Sequence, residues 1–351
     1  MQETDDRVNT RGRRWRRRLR LILTVVPLGC LLPAMDVAAT TGALLQRPGT
    51  EGCVSEDGTG GTCMDGHDLV GAASVAVSPD GYYVYVASFD SSAVATFARH
   101  PTTGVLGQLN GVAGCVAEIG DGVTCSQGRG LGGAVSVAVS PDGRHLYVAS
   151  RGNAVAVFAR NARAGELAQL DGAAGCIAEA GDGMTCTGGT ALVGPRMVTV
   201  SPDGKSVYIG SRDSDAVAVF ARNLTTGALA QLNGPAGCIA EYGDRVACTV
   251  GTGLREAVFL TVSPDGANLY IASQLSDAVA AFSRNAMTGG LTQLPGVAGC
   301  VSDDGSDDGT PMRCAHGNGL LGAIAVTVSP DGRTVYAASY LSSAVSVFNR
   351  E

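Results

Sequence analysis

The tetrapeptide Ser-Pro-Asp-Gly occurs five times in this chain, starting at Ser78, Ser140, Ser201, Ser263 and Ser329. The copies are 62, 61, 62 and 66 residues apart, and each sits inside the same longer block. The chain is therefore one unit repeated five times. A period of this size restricts the fold to a solenoid, a propeller or an array.

The third copy gives the pattern of the unit. Met197–Val200 alternates and runs into the Ser201–Gly204 turn, and Ser206–Ile209 follows as a second strand. Ala216–Phe220 is a third, and Thr226-Gly227 turns into a fourth, Ala228–Leu232. Short β-branched and aromatic runs bounded by Gly, Pro, Asp and Asn read as antiparallel strands of a meander. Four strands per repeat make a propeller blade. Tyr85, Tyr147, Tyr208, Tyr270 and Tyr336 recur on second strands, and Phe97, Phe158, Phe220, Phe282 and Phe348 on third strands, as packing between blades requires. The chain stops just after a third strand, and Gly42–Gln46 matches Gly227–Gln231. The expected fold is thus an all-β, five-bladed propeller of four-stranded antiparallel blades. An N-terminal strand would close the ring and remove the open sheet edge.

Val139–Gly143 followed by Leu146–Ser150 resembles the YVTN repeats of the lactonase-like, 6-phosphogluconolactonase-type propellers, and the likeness runs through all five repeats. The resemblance implies a secreted or surface protein, or an enzyme acting on sugar lactones or muconate lactones. That group commonly has seven blades of roughly 40 residues. This chain has five longer repeats, each with an insert before the next first strand.

Residues 1–39 read as a signal peptide, with a retained anchor as the alternative. Arg13 to Arg20 is a basic run, Leu19–Met35 is mostly apolar, and Val37-Ala38-Ala39 offers a cleavage site. The apolar run is short for a bilayer span of about 20 residues. Residues 40–351 then form a single domain, secreted, periplasmic or at the cell surface. Removing eight Arg and four acids from the 25 basic and 32 acidic residues leaves 17 and 28. An acidic domain argues against nucleic acid and anionic membranes as partners. Apart from Cys30, the cysteines fall as five local pairs: Cys53/Cys63, Cys115/Cys125, Cys176/Cys186, Cys238/Cys248 and Cys300/Cys314. One pair per repeat behind a signal peptide reads as five disulfides in an oxidising compartment. The spacing does not suit a zinc finger, and no His accompanies each pair.

The inserts share one face with the loops between second and third strands, so that face is the candidate functional surface. Each insert carries an acid three residues after its first Cys: Glu56, Glu118, Glu179, Glu241 or Asp303. The acids either hold Ca²⁺ or accept main-chain N–H bonds in tight loops. Asp303, Asp304, Asp307 and Asp308 form the best candidate for metal. A catalytic site needs broken symmetry. Glu256 stands where other repeats have Gly71, Gly133, Gly194 and Gly322, Arg255 precedes it, and Arg196 replaces Ala73, Val135, Val258 and Ile324. Arg with Glu can bind a carboxylate or polarise a lactone carbonyl. His67 and His316 lie in the first and fifth inserts, which ring closure would bring together as a metal or acid–base pair. Two functions follow. One is a monomeric binding module whose acidic, disulfide-ringed loop face meets a small molecule or an envelope or extracellular protein. The alternative is a lactonase-like hydrolase at the channel mouth.

Overall fold

The computed structural model describes residues 42–181, 183–243 and 247–351. The proposed signal peptide lies outside the described residues. The chain divides into two units, Met1–Leu45 and Gln46–Glu351. Every sheet among the described residues lies in the second. Among the described residues, no helix is long and apolar enough to cross a membrane.

Each repeat begins with three antiparallel strands: in the third, Pro195–Val200, Ser206–Ser211 and Ala216–Arg222. The Ser-Pro-Asp-Gly turn fixes the first hairpin. Ser201 Oγ donates to Asp203 Oδ1 (2.6 Å) and accepts from the Ser206 N–H (3.0 Å). Gly204 takes φ 71°, where a Cβ is strained. The second strand is buried along its whole length, and Ala216 to Phe220 of the third is buried too. Their side chains pack both ways, onto the previous and the next sheet. Tyr147, Val155 and Val157 of sheet two meet Val198, Val207, Ile209 and Phe220 of sheet three in one core. Burying each such aromatic contributes about 2 kcal/mol. Successive first strands lie side by side, from Ala72–Val77 through Ala134–Val139, Pro195–Val200 and Ala257–Val262 to Ala323–Val328.

The all-β class holds, but five four-stranded blades in a closed ring are not what forms. Among the described residues there are six sheets: a small one of two strands and one per repeat, numbered one to five along the chain, with six strands in each of the first four and three in the fifth. The fourth strand is short. Leu229–Gln231 pairs only with Phe220, Ala221 and Arg222. That leaves the other half of the third strand with free edge groups, and the insert covers them. Cys238–Ala240 pairs antiparallel with Ala216–Ala218, and Thr249–Val250 adds a parallel strand outside it. The disulfide Cys238–Cys248, with Cα atoms 4.7 Å apart, clamps these two strands together, and the other four pairs do the same. Sheet five has only Ala323–Val328, Thr334–Ser339 and Ala344–Asn349. Gly42–Gln46 forms no strand. Among the described residues, no comparable packing joins Ala323–Val328 to Ala72–Val77. Val75 of sheet one and Val345 of sheet five are 66% and 67% exposed. The pattern of Gly42–Gln46 makes it able to pair without specifying an edge, and the ring stays open.

Candidate active site at the channel mouth

Every first strand carries a β-bulge one residue in. In sheet three the register shifts between Pro195 and Met197, so Arg196 is the extra residue. Bulges re-aim side chains and recur beside active sites. The other repeats fill the same place with Ala73, Val135, Val258 and Ile324. Met197, Thr199, Phe259, Thr261 and Thr327 of the first strands line a cavity of about 510 Å³ together with Tyr336, Ala338 and Val345 of sheet five. Arg196 is half-buried, and its Nε is buried with no hydrogen-bond partner among the described residues. Burial, then the charges of Arg151 and Arg212, hold the Arg196 guanidinium below its usual pKa, while Asp213 and Glu256 act the other way. Arg196 therefore stands within the field of two further guanidinium charges, with its own Nε closed to solvent.

Glu256 takes φ 52°. Gly71, Gly133, Gly194 and Gly322, its counterparts, have φ of 71°, 66°, 63° and 67°. Forcing an L-residue into this region costs roughly 1–2 kcal/mol. Such strain gathers where function requires it. The Glu256 N–H donates to Asp215 Oδ1 (2.6 Å), which holds the turn. Its carboxylate binds the Arg212 guanidinium, and the side chain is only 15% exposed. Arg212 also reaches Asp213 (3.4 Å).

The remaining sequence candidates separate from this cluster. Arg255 turns away from Glu256 and pairs with Asp308 (2.6 Å). His67 is tied through its main chain to Gln108 beside sheet one. His316 lies in the insert that precedes sheet five, paired with Ser302. With the ring open, nothing among the described residues brings the two histidines into contact. The four metal candidates point at different donors. Asp303 accepts from the Leu320 N–H (2.8 Å), Asp304 from Ser306, Asp307 from the Gly253 N–H (3.1 Å) and Asp308 from Arg255. The insert acids share one structural task. Glu56, Glu118, Glu179 and Glu241 accept the N–H of Leu69, Leu131, Leu192 and Leu254 at 2.5, 2.5, 2.5 and 2.6 Å. Asp68, Cys115 and Cys125 also converge, but both cysteines are in a disulfide and offer no thiolate. Arg151 and Arg212 escaped the sequence reading. Both follow the last Ser of a second strand, where other repeats have Phe89, Gln274 and Tyr340, and that break in the repeat was the available signal.

The family model for lactonases, described as a seven-bladed β-propeller, matches residues 122–238. That stretch contains Arg151, Arg196 and Arg212 and stops short of Glu256. Its blade number also departs from the five expected from the repeats. No curated protein matches the chain significantly. Among solved structures, a functionally unknown protein of Desulfotomaculum acetoxidans is 14% identical at a TM-score of 0.51, over 80% of this chain and 66% of that one. The periplasmic gluconolactonase of Pseudomonas aeruginosa is 18% identical at a TM-score of 0.47, over 76% and 64%. A protein of Bacteroides uniformis assigned as a 6-phosphogluconolactonase is 21% identical at a TM-score of 0.45, over 69% and 55%. The chain spans only about half the length of the two Bacteroides structures it matches, 55% and 52%. The likeness to the Desulfotomaculum acetoxidans protein speaks for the fold alone. Over residues 122–238, a third of its length, and in its repeated motif, the chain is similar to the lactonase-like β-propellers.

Proposed function

We propose that the chain is a hydrolase that opens a small lactone bearing a negative group, at the mouth of the channel formed by the first strands. The half-buried Arg196 guanidinium, set at the extra residue of a first-strand bulge and within the field of the Arg151 and Arg212 charges, is the observation that carries this reading. A lactone carbonyl develops negative charge as water attacks. A preorganised guanidinium in a half-buried site stabilises that charge far better than bulk water does. Arg196 is the donor for the oxyanion, and Arg151 supplies positive charge for the substrate's anionic group. Glu256, held by Arg212, accepts the proton of the attacking water. The ring C–O bond then breaks, and the alkoxide takes up a proton to give the hydroxy acid. The five disulfides suit a secreted or periplasmic location. The binding-module function rested on display of the insert acids, and four of those carboxylates plus Asp303 accept main-chain N–H bonds instead.

A pH-stat assay of the oxidised protein against aldonolactones, phosphorylated sugar lactones, acyl-homoserine lactones and a muconolactone tests the proposal. Arg196→Ala should lower kcat/KM by about 10²–10³, the usual effect of losing one oxyanion donor. Glu256→Gln should lower kcat with KM little changed. Absence of turnover from a sample with all five disulfides formed, or activity untouched by both variants, overturns it.

A further inference from the structure

Just before the leucine whose N–H the insert acid binds, each repeat places a residue of positive φ. These are Asp68, Gly130, Ala191, Gly253 and Gly319, at 60°, 70°, 63°, 74° and 75°. At the joins inside the chain this residue faces the disulfide of the next insert. A Cβ on Gly130 would lie 3.1 Å from Cys176 Cβ, and one on Gly253 would lie 3.2 Å from Cys300 Cβ. Ala191 shares a core with Cys238 and Cys248. At these three joins nothing larger than a methyl group stands against the disulfide. At the first join a carboxylate does. Asp68 Oδ2 lies 2.6 Å from Cys125 Sγ and 3.3 Å from Cys115 Sγ.

The oxidised pair does not suit that carboxylate. A disulfide sulfur has lone pairs and no hydrogen, so it has nothing to donate. Among the described residues, the two sulfurs are the only polar atoms in contact with the Asp68 carboxylate. Asp68 is half-buried, and Cys115 and Cys125 are buried. Burial, then the charge of Glu56, raises the Asp68 carboxyl above its usual range; His67 opposes this and Asp121 adds to it. A partly buried charge with no donor is costly. Opening the S–S bond reverses the situation. Each sulfur then carries a hydrogen, and a charged acceptor strengthens the weak S–H donor. Other contributions to the stability of the bond are matched within the chain. Cys115–Cys125 and Cys238–Cys248 both have a sequence separation of 10, with Cα atoms 4.8 and 4.7 Å apart. Loop closure therefore favours both equally, and Asp68 in place of Ala191 distinguishes their surroundings.

We propose that Cys115–Cys125 is a redox-active pair that exchanges electrons with an external dithiol, and that Asp68 stabilises its reduced form. A thiolate of the dithiol attacks one sulfur, the Cys115–Cys125 bond breaks and a mixed disulfide forms. The second thiol of the dithiol then displaces the cysteine, and the reagent leaves as a cyclic disulfide. The dithiol is oxidised by two electrons and the cysteine pair is reduced. The two protons that the dithiol gives up end on Cys115 and Cys125, whose S–H groups donate to Asp68. The fold does not depend on the bond. Cys115–Ala117 stays paired with Ala93–Ala95, and Ser126–Gln127 with Val116–Ala117, through main-chain hydrogen bonds.

Equilibration of the folded protein with graded mixtures of reduced and oxidised dithiothreitol, followed by alkylation and peptide mass analysis, reads each pair separately. Cys115–Cys125 should be half-reduced at a reduced-to-oxidised ratio about tenfold lower than Cys238–Cys248, the usual effect of one hydrogen bond to a charged group. Circular dichroism should keep its native signal while the first pair is open. Asp68→Asn keeps the shape without the charge, and Asp68→Ala copies Ala191, which the fold accepts at a φ of 63°. Either variant should bring the two pairs within about twofold of each other. Opening of Cys115–Cys125 together with or after Cys238–Cys248 overturns the proposal. So does a gap between the pairs that survives both variants, or unfolding in step with the opening.

Discussion

Glu241 performs the same task as the other insert acids but in harsher surroundings. Burial pushes its carboxyl up to about 8, and Asp307 and Asp215 add to this, although the Leu254 N–H works against it. The folded protein therefore keeps a proton on Glu241 that the unfolded chain loses near 4.5, its ordinary value. Between those values the folded state binds more protons, so its stability is fully present below about 4.5 and declines as pH rises toward 8. Glu241→Gln stays neutral, still accepts the Leu254 N–H and can donate to Asp307. Urea denaturation at intervals from pH 4 to pH 9 should show wild-type stability falling through this window and the variant holding level. Parallel curves for the two proteins would refute the assignment. Glu256 belongs to the same scale. One side chain at a glycine position is strained, and Arg212 and Asp215 hold it there.

At the scale of the element, the joins between sheets depend on a shared arginine. Arg222 is fully buried and serves Asp142, Tyr147, His145 and the Gly204 carbonyl at once. Burial opposes ionisation of Asp142, but hydrogen bonds from Ser140 and Arg222 bring its carboxyl down to about 2. Burial raises the Tyr147 hydroxyl to about 12, so it stays a donor to the Gly227 carbonyl (2.9 Å). Tyr147→Phe leaves that carbonyl and the Arg222 Nε unpaired in a dry interface, which should cost about 1–3 kcal/mol. Tyr336→Phe, with no such partners among the described residues, should cost less than about 0.5 kcal/mol. Equal costs for the two variants would show that the join does not rest on this network. The sequence made part of this organisation legible. Ser-Pro-Asp-Gly, the strand runs and the cysteine pairs are local and repeated, so composition and spacing were enough to find them. The reach of an arginine from one repeat to an aspartate about 80 residues earlier has no local signature. The same holds for the catalytic candidates. Arg255 and Glu256 are adjacent in sequence and diverge in space, to Asp308 and to Arg212. Arg196 and Arg212 feel each other's charge because a bulge and a strand end bring residues of two strands near one another.

For the whole molecule, the packing of first strands among the described residues joins each sheet chiefly to its neighbours in sequence, so stability is close to a sum of sheet and join contributions. Terminal sheets in such an array open before central ones. Sheets two and three bury Leu146–Ser150 and Ser206–Ser211 completely. Sheet five alternates buried and open positions along Thr334–Ser339 and Ala344–Asn349, and its last strand has a bare edge. Native-state hydrogen exchange on dilute protein should therefore protect residues 145–160 and 206–222 by several orders of magnitude more than residues 334–349. The N-terminal sheet should behave differently, because Val54 and Leu69 cover Val84 and Phe97 and the disulfide Cys53–Cys63 holds its small outer sheet. Its protection should fall between the two. Uniform protection across the sheets at low concentration would mean that the array unfolds as one cooperative body, with its outer edge as stable as its centre.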